Sequence, residues 1–351
     1  MKVLSQKFFL YSTTVQDNMK KRATIYDVAR EAEVSITTVS RYLNNPENVK
    51  AETGQQISLS MEKLDYIRQG NAGTITSRSV RRVGVLTPFF PAPSFVDRLR
   101  GMIPFFKEKN YEVVIYTIES PDQLDEYLSS VPFTRRIDGL ILMSVYLTTD
   151  QNRALKASGL HVVMIESDDE NYSRVLTDDH KGGQIAAELF LEKNYLPCAF
   201  MGDKNRNLSY SCHPSELRFR GFKETLEKEG HEIPESLILE ADTTVESSQK
   251  VFTEFLKKGK QIRAVFAMCD VQAVGIIKAA REEGLRIPED LAVLGFDNIE
   301  SADWMGLSTI TQYLGDSGRV AAGLLLEQIS EKGNAIQKVN LQVGLLERST
   351  T

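Results

Sequence analysis

The sequence predicts an α/β protein in two parts: an all-helical module at the N-terminus and a larger body of parallel sheets divided between two lobes. Three observations carry this. Apolar residues recur at helical spacings of three and four between Thr24 and Leu64. From Val83 onward, short runs rich in Val, Ile and Leu ("VGVLT", "DGLILMS", "HVVMIE", "CAFMG", "RAVFAMC", "LAVLGF") alternate with amphipathic segments. Such runs suit strands covered on both faces, and their alternation with helices builds parallel sheets. Between the two patterns lies the polar stretch "RQGNAGTITSRS", with Gly70 and Gly73, which reads as a linker.

In chain order, residues 1–18 show no sustained period and are expected to be a disordered extension. Met19 is expected to be the true start, and mass spectrometry of the native protein checks this. Residues 19–67 form the helical module. Thr24 caps a first helix with Asp27 three residues on, and Ile25, Val28, Ala29 and Ala32 make its inward stripe. Ser35 caps a second helix whose Val39 and Leu43 face the same way. A third helix around 52–64 adds Ile57, Met61 and Leu64. Residues 68–80 are the hinge linker and 81–351 the two-lobed body, with helices expected at 96–109, 181–194, 216–229 and 272–283.

Bulk properties exclude several classes. The chain has 351 residues, 42% of them hydrophobic and 26% charged, which is ordinary for globular proteins and enough for two or three cored domains. No apolar run approaches the length of a membrane span. Lys2 and Lys7 precede only Phe8, Phe9, Leu10 and Tyr11, too short a run for a signal peptide, so a cytoplasmic location with no membrane partner is expected. Cys198, Cys212 and Cys269 are an odd number at spacings that match no zinc pattern, which argues against a disulfide framework or a metal. Net charge is −6, yet residues 19–82 hold 11 Lys and Arg against 7 Asp and Glu. A basic module on an acidic body is the footprint of a nucleic-acid reader.

Two short helices joined by a tight turn form a helix-turn-helix when the outer face of the second is left bare. Thr37 and Arg41 lie four apart on that face, with Ile36 beside them. Arg41 can bond a guanine edge in bidentate fashion, Thr37 can bond several bases, and Ile36 can touch a thymine methyl. Thr24, Ser35 and Ser40 can serve phosphates. The competing reading is a plain helical subdomain with solvated Thr and Arg.

"TIYDVAREAEVSITTVSRYLN" together with "LDYI" resembles the headpiece of the LacI/GalR family of bacterial transcription regulators. "DVQAVGIIKAAREEGLRIPEDLAVLGFDNIESADW", residues 270–304, resembles the same family's effector-binding body, with weaker matches at "RFRGF", "STITQ" and "ERST". The resemblance implies a helix-turn-helix headpiece on a two-lobed, periplasmic-binding-protein-like body. It also implies a homodimer on double-stranded operator DNA, acting as a repressor, with an effector between the lobes. The effector is a small molecule of sugar or nucleobase class, or else a protein co-regulator takes that role. By the same resemblance Arg218, expected in a segment capped by Ser215, contacts the effector, and Ile75 matches the residue that wedges into the minor groove, where a linker residue packed on the body reads equally well. The linker is then expected to stay disordered until DNA orders it. Several positions depart from the family pattern. Glu33 replaces the turn glycine, Gly54, Gln55 and Gln56 replace basic residues, Gly73 replaces an arginine, and Cys269 replaces an asparagine.

Open parallel sheets bind ligands beyond the carboxyl ends of their strands, where Asp270 and Asp297 follow "RAVFAMC" and "LAVLGF". Asp270 reads equally as a helix cap; Asp178 and Asp179 are weaker candidates, and Trp304 is expected to be a packed surface aromatic. No enzyme constellation assembles. Ser247 to Lys250 fits S-x-x-K without its companion motifs, and Asp178, Asp179 and His180 are adjacent positions that rarely converge on one metal. His161, His180, His213 and His231 pair with no nucleophile, and no strand is followed by G-x-G-x-x-G. No cofactor is expected. A solute-binding protein, which would share the body, should carry an export signal and lack the headpiece.

Overall fold

The structure is a computed structural model that describes residues 23–64, 66, 81–134, 136–204, 208–259, 261–330 and 335–351. Residues 1–18, the expected start at Met19, the linker 68–80 and the Ile75 wedge lie outside them. The chain divides into two compact units, Met1–Ser79 and Val80–Thr351.

The first unit contains α1 (Ile25–Glu31), α2 (Ile36–Asn44) and α3 (Ala51–Lys63). The carboxylate of Asp27 accepts from the backbone and hydroxyl of Thr24, fixing the start of α1. Ser35 Oγ accepts from the Thr38 amide at 3.1 Å and starts α2. Val28, Ala32, Val39 and Ile57 are wholly buried and form its small core. Gly54 is buried on α3 because the Tyr42 ring lies over it; a Cβ there would come within 2.9 Å of that ring.

The second unit opens with β1 (Arg81–Pro88), α4 (Pro93–Glu108), β2 (Tyr111–Ile118), α5 (Pro121–Ser130), β3 (Gly139–Met143), α6 (Thr149–Ser158), β4 (His161–Ile165) and β5 (Ser173–Thr177). It continues with α7 (Asp179–Glu192), β6 (Cys198–Asp203), α8 (Pro214–Lys228), β7 (Ile238–Ala241), α9 (Val245–Lys257), β8 (Ala264–Ala267), α10 (Asp270–Glu282), β9 (Ala292–Asp297), α11 (Glu300–Trp304) and β10 (Ser308–Thr311). The last elements are α12 (Leu314–Ile329), β11 (Lys338–Leu341) and β12 (Gly344–Leu346).

These strands make two six-stranded sheets, in the orders β11-β5-β4-β3-β1-β2 and β12-β10-β9-β8-β6-β7. Every neighbouring pair is parallel except β10 with β12. Each sheet is the floor of one lobe. The chain passes between lobes after β5, after β10 and between β11 and β12, so three crossings form the hinge. Central strands are buried along their whole length, as in β3 and β9, which is why they read so plainly in the sequence. Each lobe also has helices packed backbone to backbone beside the cleft. A Cβ on Gly318 of α12 would lie 2.1 Å from the carbonyl oxygen of Arg98 on α4, and one on Gly183 of α7 would lie 2.0 Å from that of Arg218 on α8. Only glycine permits these approaches, and each holds one arginine beside the other lobe.

Candidate functional site

Two surfaces concentrate functional side chains, one in each unit. In the first, Ser35, Ile36, Thr37 and Arg41 are exposed along the outer face of α2, while Val39 on the inner face is wholly buried. The turn before α2 passes through Glu33 at φ 52°, the left-handed conformation that glycine adopts without strain. Thr24 is exposed at the start of α1, and Ser40 is half-buried. Tyr26, 62% exposed on α1, was not picked out by the sequence reading.

The second surface is a cleft at the carboxyl ends of both sheets. Its walls include Phe89, Phe95, Arg98, Ser144 and Glu166 from the first lobe, and Asp203, Cys212, Arg218, Met268 and Asp297 from the second, with Gln312 in the hinge. The cleft has a volume of about 90 Å³. Arg218 is 2% exposed and donates to Asp179 at 2.8 Å and to the Met268 carbonyl at 2.5 Å, with Asp297 at 3.7 Å. Its guanidinium carbon stands 3.6 Å from the centre of the Phe296 ring. From the other lobe, Arg98 is 1% exposed and donates to Glu166, to Gln312 at 2.9 Å and to Ser317 at 3.2 Å. Gln312 in turn donates to Asp297 at 2.5 Å and accepts from Thr177 at 3.2 Å. One connected network therefore runs from Glu166 through Arg98, Gln312 and Asp297 to Arg218 and Asp179.

Burial sets the proton affinities here. It raises the Asp297 carboxyl to about 6 against the opposing pull of Arg218, and raises Asp179 in the same way. It pushes Asp270 up to about 8, with the nearby charge of Asp297 adding to the effect. The thiols of Cys212 and Cys269 are pushed well up by burial, the opposite of what a nucleophilic thiolate needs.

Several sequence expectations require correction. Asp270 does not reach the cleft. It is wholly buried, and its carboxylate accepts from Thr309 Oγ1 at 2.6 Å and the Ile299 amide at 2.9 Å, tying α10 to β10. Nor is it the cap of α10, since Cys269 holds that position. Ser215 does not cap α8; His213 does, and Ser215 Oγ accepts from the Asp203 amide. Trp304 is not packed: it is 89% exposed. Asp178 caps α7 through the Lys181 amide. Ser247 binds Asp242 at 3.1 Å near the start of α9, and His180 pairs with Glu224 at 2.8 Å. Among the described residues no group of His, Cys, Asp or Glu is placed to hold a metal, and no helix is long and apolar enough to cross a membrane. Arg98, Glu166 and Gln312 were missed because nothing local in the sequence marks them.

A helical module with a bare recognition face, joined to a two-lobed body with a polar cleft, defines a DNA-binding regulator with a ligand-responsive domain. The family described as bacterial regulatory proteins of the lacI family matches residues 24–69, and a periplasmic binding protein-like domain matches residues 187–351. A ribose operon repressor from Halalkalibacterium halodurans is 30% identical over 334 residues, spanning 93% of this chain and 97% of that one. A LacI family regulator from Enterococcus faecium, solved with bound ribose, has a TM-score of 0.67 at 27% identity over 77% of this chain and 98% of its own. The lac repressor dimer bound to operator shares the fold, with a TM-score of 0.67 at 23% identity over 94% and 99%. The chain belongs to the LacI family of bacterial transcription regulators.

Proposed function

We propose that this chain is a cytoplasmic, non-enzymatic repressor that binds a pseudo-palindromic operator as a homodimer and answers to a neutral monosaccharide in the cleft. The observation that carries the DNA-binding half is the bare face of α2, with Thr37 and Arg41 exposed four residues apart on a capped helix. In this reading Arg41, Thr37 and Ile36 meet base edges, while Thr24, Ser35 and Ser40 meet phosphates. Two copies on a two-fold axis read two half-sites. Ile75 serves as the minor-groove wedge.

The charge of the cleft supports a neutral ligand. Arg98 and Arg218 face Glu166, Asp203 and Asp297, so the lining offers no net positive charge to an anion. Among the described residues, one nitrogen of each guanidinium, Nη1 of Arg98 and Nη2 of Arg218, has no protein partner. These donors and the Asp297 carboxylate suit the alternating acceptors and donors of sugar hydroxyls. Phe89 and Phe95 supply an apolar face. Both the repressor from Halalkalibacterium halodurans, by name, and the Enterococcus faecium structure, by its ligand, point to ribose as the first sugar to try.

The test is selection of bound fragments from random DNA, with and without a panel of ribose, other sugars and nucleobases. Arg41→Ala is expected to cost ~1–3 kcal/mol and to relax preference at one base position. Equal losses on every duplex would remove Arg41 from base readout. A response to nucleobases alone, or to none of the panel, would overturn the sugar assignment.

A further inference from the structure

Residues 208–213, between β6 and α8, belong by chain connection to the second lobe, yet the side chains of Leu208 and Tyr210 lie in the first. Tyr210 is 8% exposed within a cluster whose other members, Leu86, Ile118, Leu142 and Val145 among them, come from the first lobe, and Leu208 packs against the same cluster. Tyr210 also donates from its hydroxyl to the Glu119 carbonyl at 3.4 Å. The backbone is pinned as well. Val145 and Ser211 form an antiparallel bridge, with the Tyr146 amide donating to Tyr210 at 3.1 Å and the Cys212 amide to Ser144 at 3.2 Å. Ser211 is wholly buried, and its hydroxyl has no partner among the described residues.

We propose that residues 208–213 are a latch that holds the two lobes closed over the cleft, with Tyr210 as the bolt, and that ligand entry requires its withdrawal. The cleft beneath is about 90 Å³ with the lobes in this position, less than the roughly 150 Å³ cavity that accepts a benzene ring, so withdrawal of the latch would widen the space open to a sugar. The latch is also wired to the cleft. Ser144, whose carbonyl receives the Cys212 amide, donates its hydroxyl to Glu166, and Glu166 accepts from Arg98. Ser144 and Glu166 both hold left-handed backbone, at φ 56° and 67°, a conformation that persists only while its surroundings enforce it. A ligand competing for Glu166 or Arg98 thus acts on the residue that receives the latch. The regulatory half of this inference rests on the reading of the cleft as the effector site; the latch itself does not.

The test uses the full-length protein and separates the two. Amide exchange is followed at Tyr146 and Cys212, with Val265 and Phe266 of β8 as controls. Tyr210→Ala is expected to speed exchange at both latch amides at least about tenfold, because a lost aromatic burial outweighs a tenfold change in an equilibrium, and to leave β8 unchanged. Tyr210→Phe keeps the ring and is expected to stay near wild type. Unchanged exchange at Tyr146 and Cys212 in Tyr210→Ala, or equal acceleration in β8, overturns the latch.

Val145→Cys combined with Ser211→Cys tests it without removing the bolt. Bridge partners that exchange no direct hydrogen bonds lie about 4.5 Å apart at Cα, within disulfide range. Peptide mapping should find the new bond between positions 145 and 211; no bond, or one to Cys212, overturns the pairing. The oxidised protein is expected to take up labelled ribose at least about tenfold more slowly than the same protein reduced, and equal rates overturn the gating role. Ribose binding to neither form overturns the ribose reading of the cleft, and the exchange rates then decide the latch alone.

Discussion

Asp270 shows how one side chain changes meaning between sequence and structure. Its position after a buried strand suggested a ligand contact, but its carboxylate is enclosed by β9 and β10, with Gly295 providing the space: a Cβ there would meet Asp270 Oδ1 at 2.1 Å. Burial raises its folded-state value to about 8, against about 4 for an unfolded aspartate. Between those limits the folded chain holds a proton that the unfolded chain has released. The sign follows from linkage: the contribution of Asp270 to stability is greatest at the acid side of that window and declines as pH rises through it. Asp270→Asn, which mimics the protonated acid, is expected to flatten this part of the profile. Thermal melts from pH ~6 to ~8.5 check it, and a parallel decline in both proteins would show that the burdened proton lies elsewhere. Glu33 makes a second case. At φ 52° it carries the strain that a turn glycine avoids, so Glu33→Gly should stabilise the headpiece by about 1 kcal/mol, read as slower exchange in α1 and α2.

The packed helices α7 and α8 show how an element aims a functional group. Gly183 and Gly221 let the two backbones meet, since Cβ atoms at these positions would come within 2.0 Å of the carbonyls of Arg218 and His180. Gly183→Ala must therefore push α8 away and carry Arg218 with it. The expected cost is ~1–3 kcal/mol in stability by chemical denaturation, with a larger loss in sugar affinity than in operator affinity. A variant that melts like wild type would show that the helices have room to spare. The same elements mark what could be read from the sequence. Helix α2 was legible because its cap, inner stripe and bare face are all local, within one run from Ser35 to Leu43. Central strands were legible as apolar runs. Strands β5, β7, β10, β11 and β12 were not, since they are short, several are half-exposed, and they lack such a run. The cleft was legible in part: Arg218 and Asp297 stand in recognisable motifs. Arg98 acquires its role only from Gln312, 214 positions away, and Glu166, 68 away, and no spacing rule connects such partners.

Taken together, the two units divide the work by charge. Residues 19–82 are basic although the chain as a whole carries −6, so phosphate contacts are expected at the headpiece end, with operator binding that weakens steeply with salt. The body contributes through its lobes. A ligand can shift operator affinity only by binding one arrangement of the lobes more tightly than another, and the network from Glu166 to Asp179 spans both lobes through the hinge residue Gln312. If that equilibrium couples the sites, linkage requires reciprocity: the factor by which saturating ribose changes operator affinity must equal the product of the factors by which operator changes ribose affinity at the two clefts of the dimer. For typical coupling of ~1–3 kcal/mol the factor per cleft lies between about 5 and 150. Ribose titrations of the dimer with and without saturating operator measure one; operator titrations with and without saturating ribose measure the other. Gln312→Ala, which cuts the link between Arg98 and Asp297, is expected to bring both factors towards one while leaving operator binding by the ligand-free dimer within about twofold of wild type. A departure from that relation would mean that ribose acts at more than the two clefts, and factors unaltered in Gln312→Ala would move the coupling path away from the hinge network.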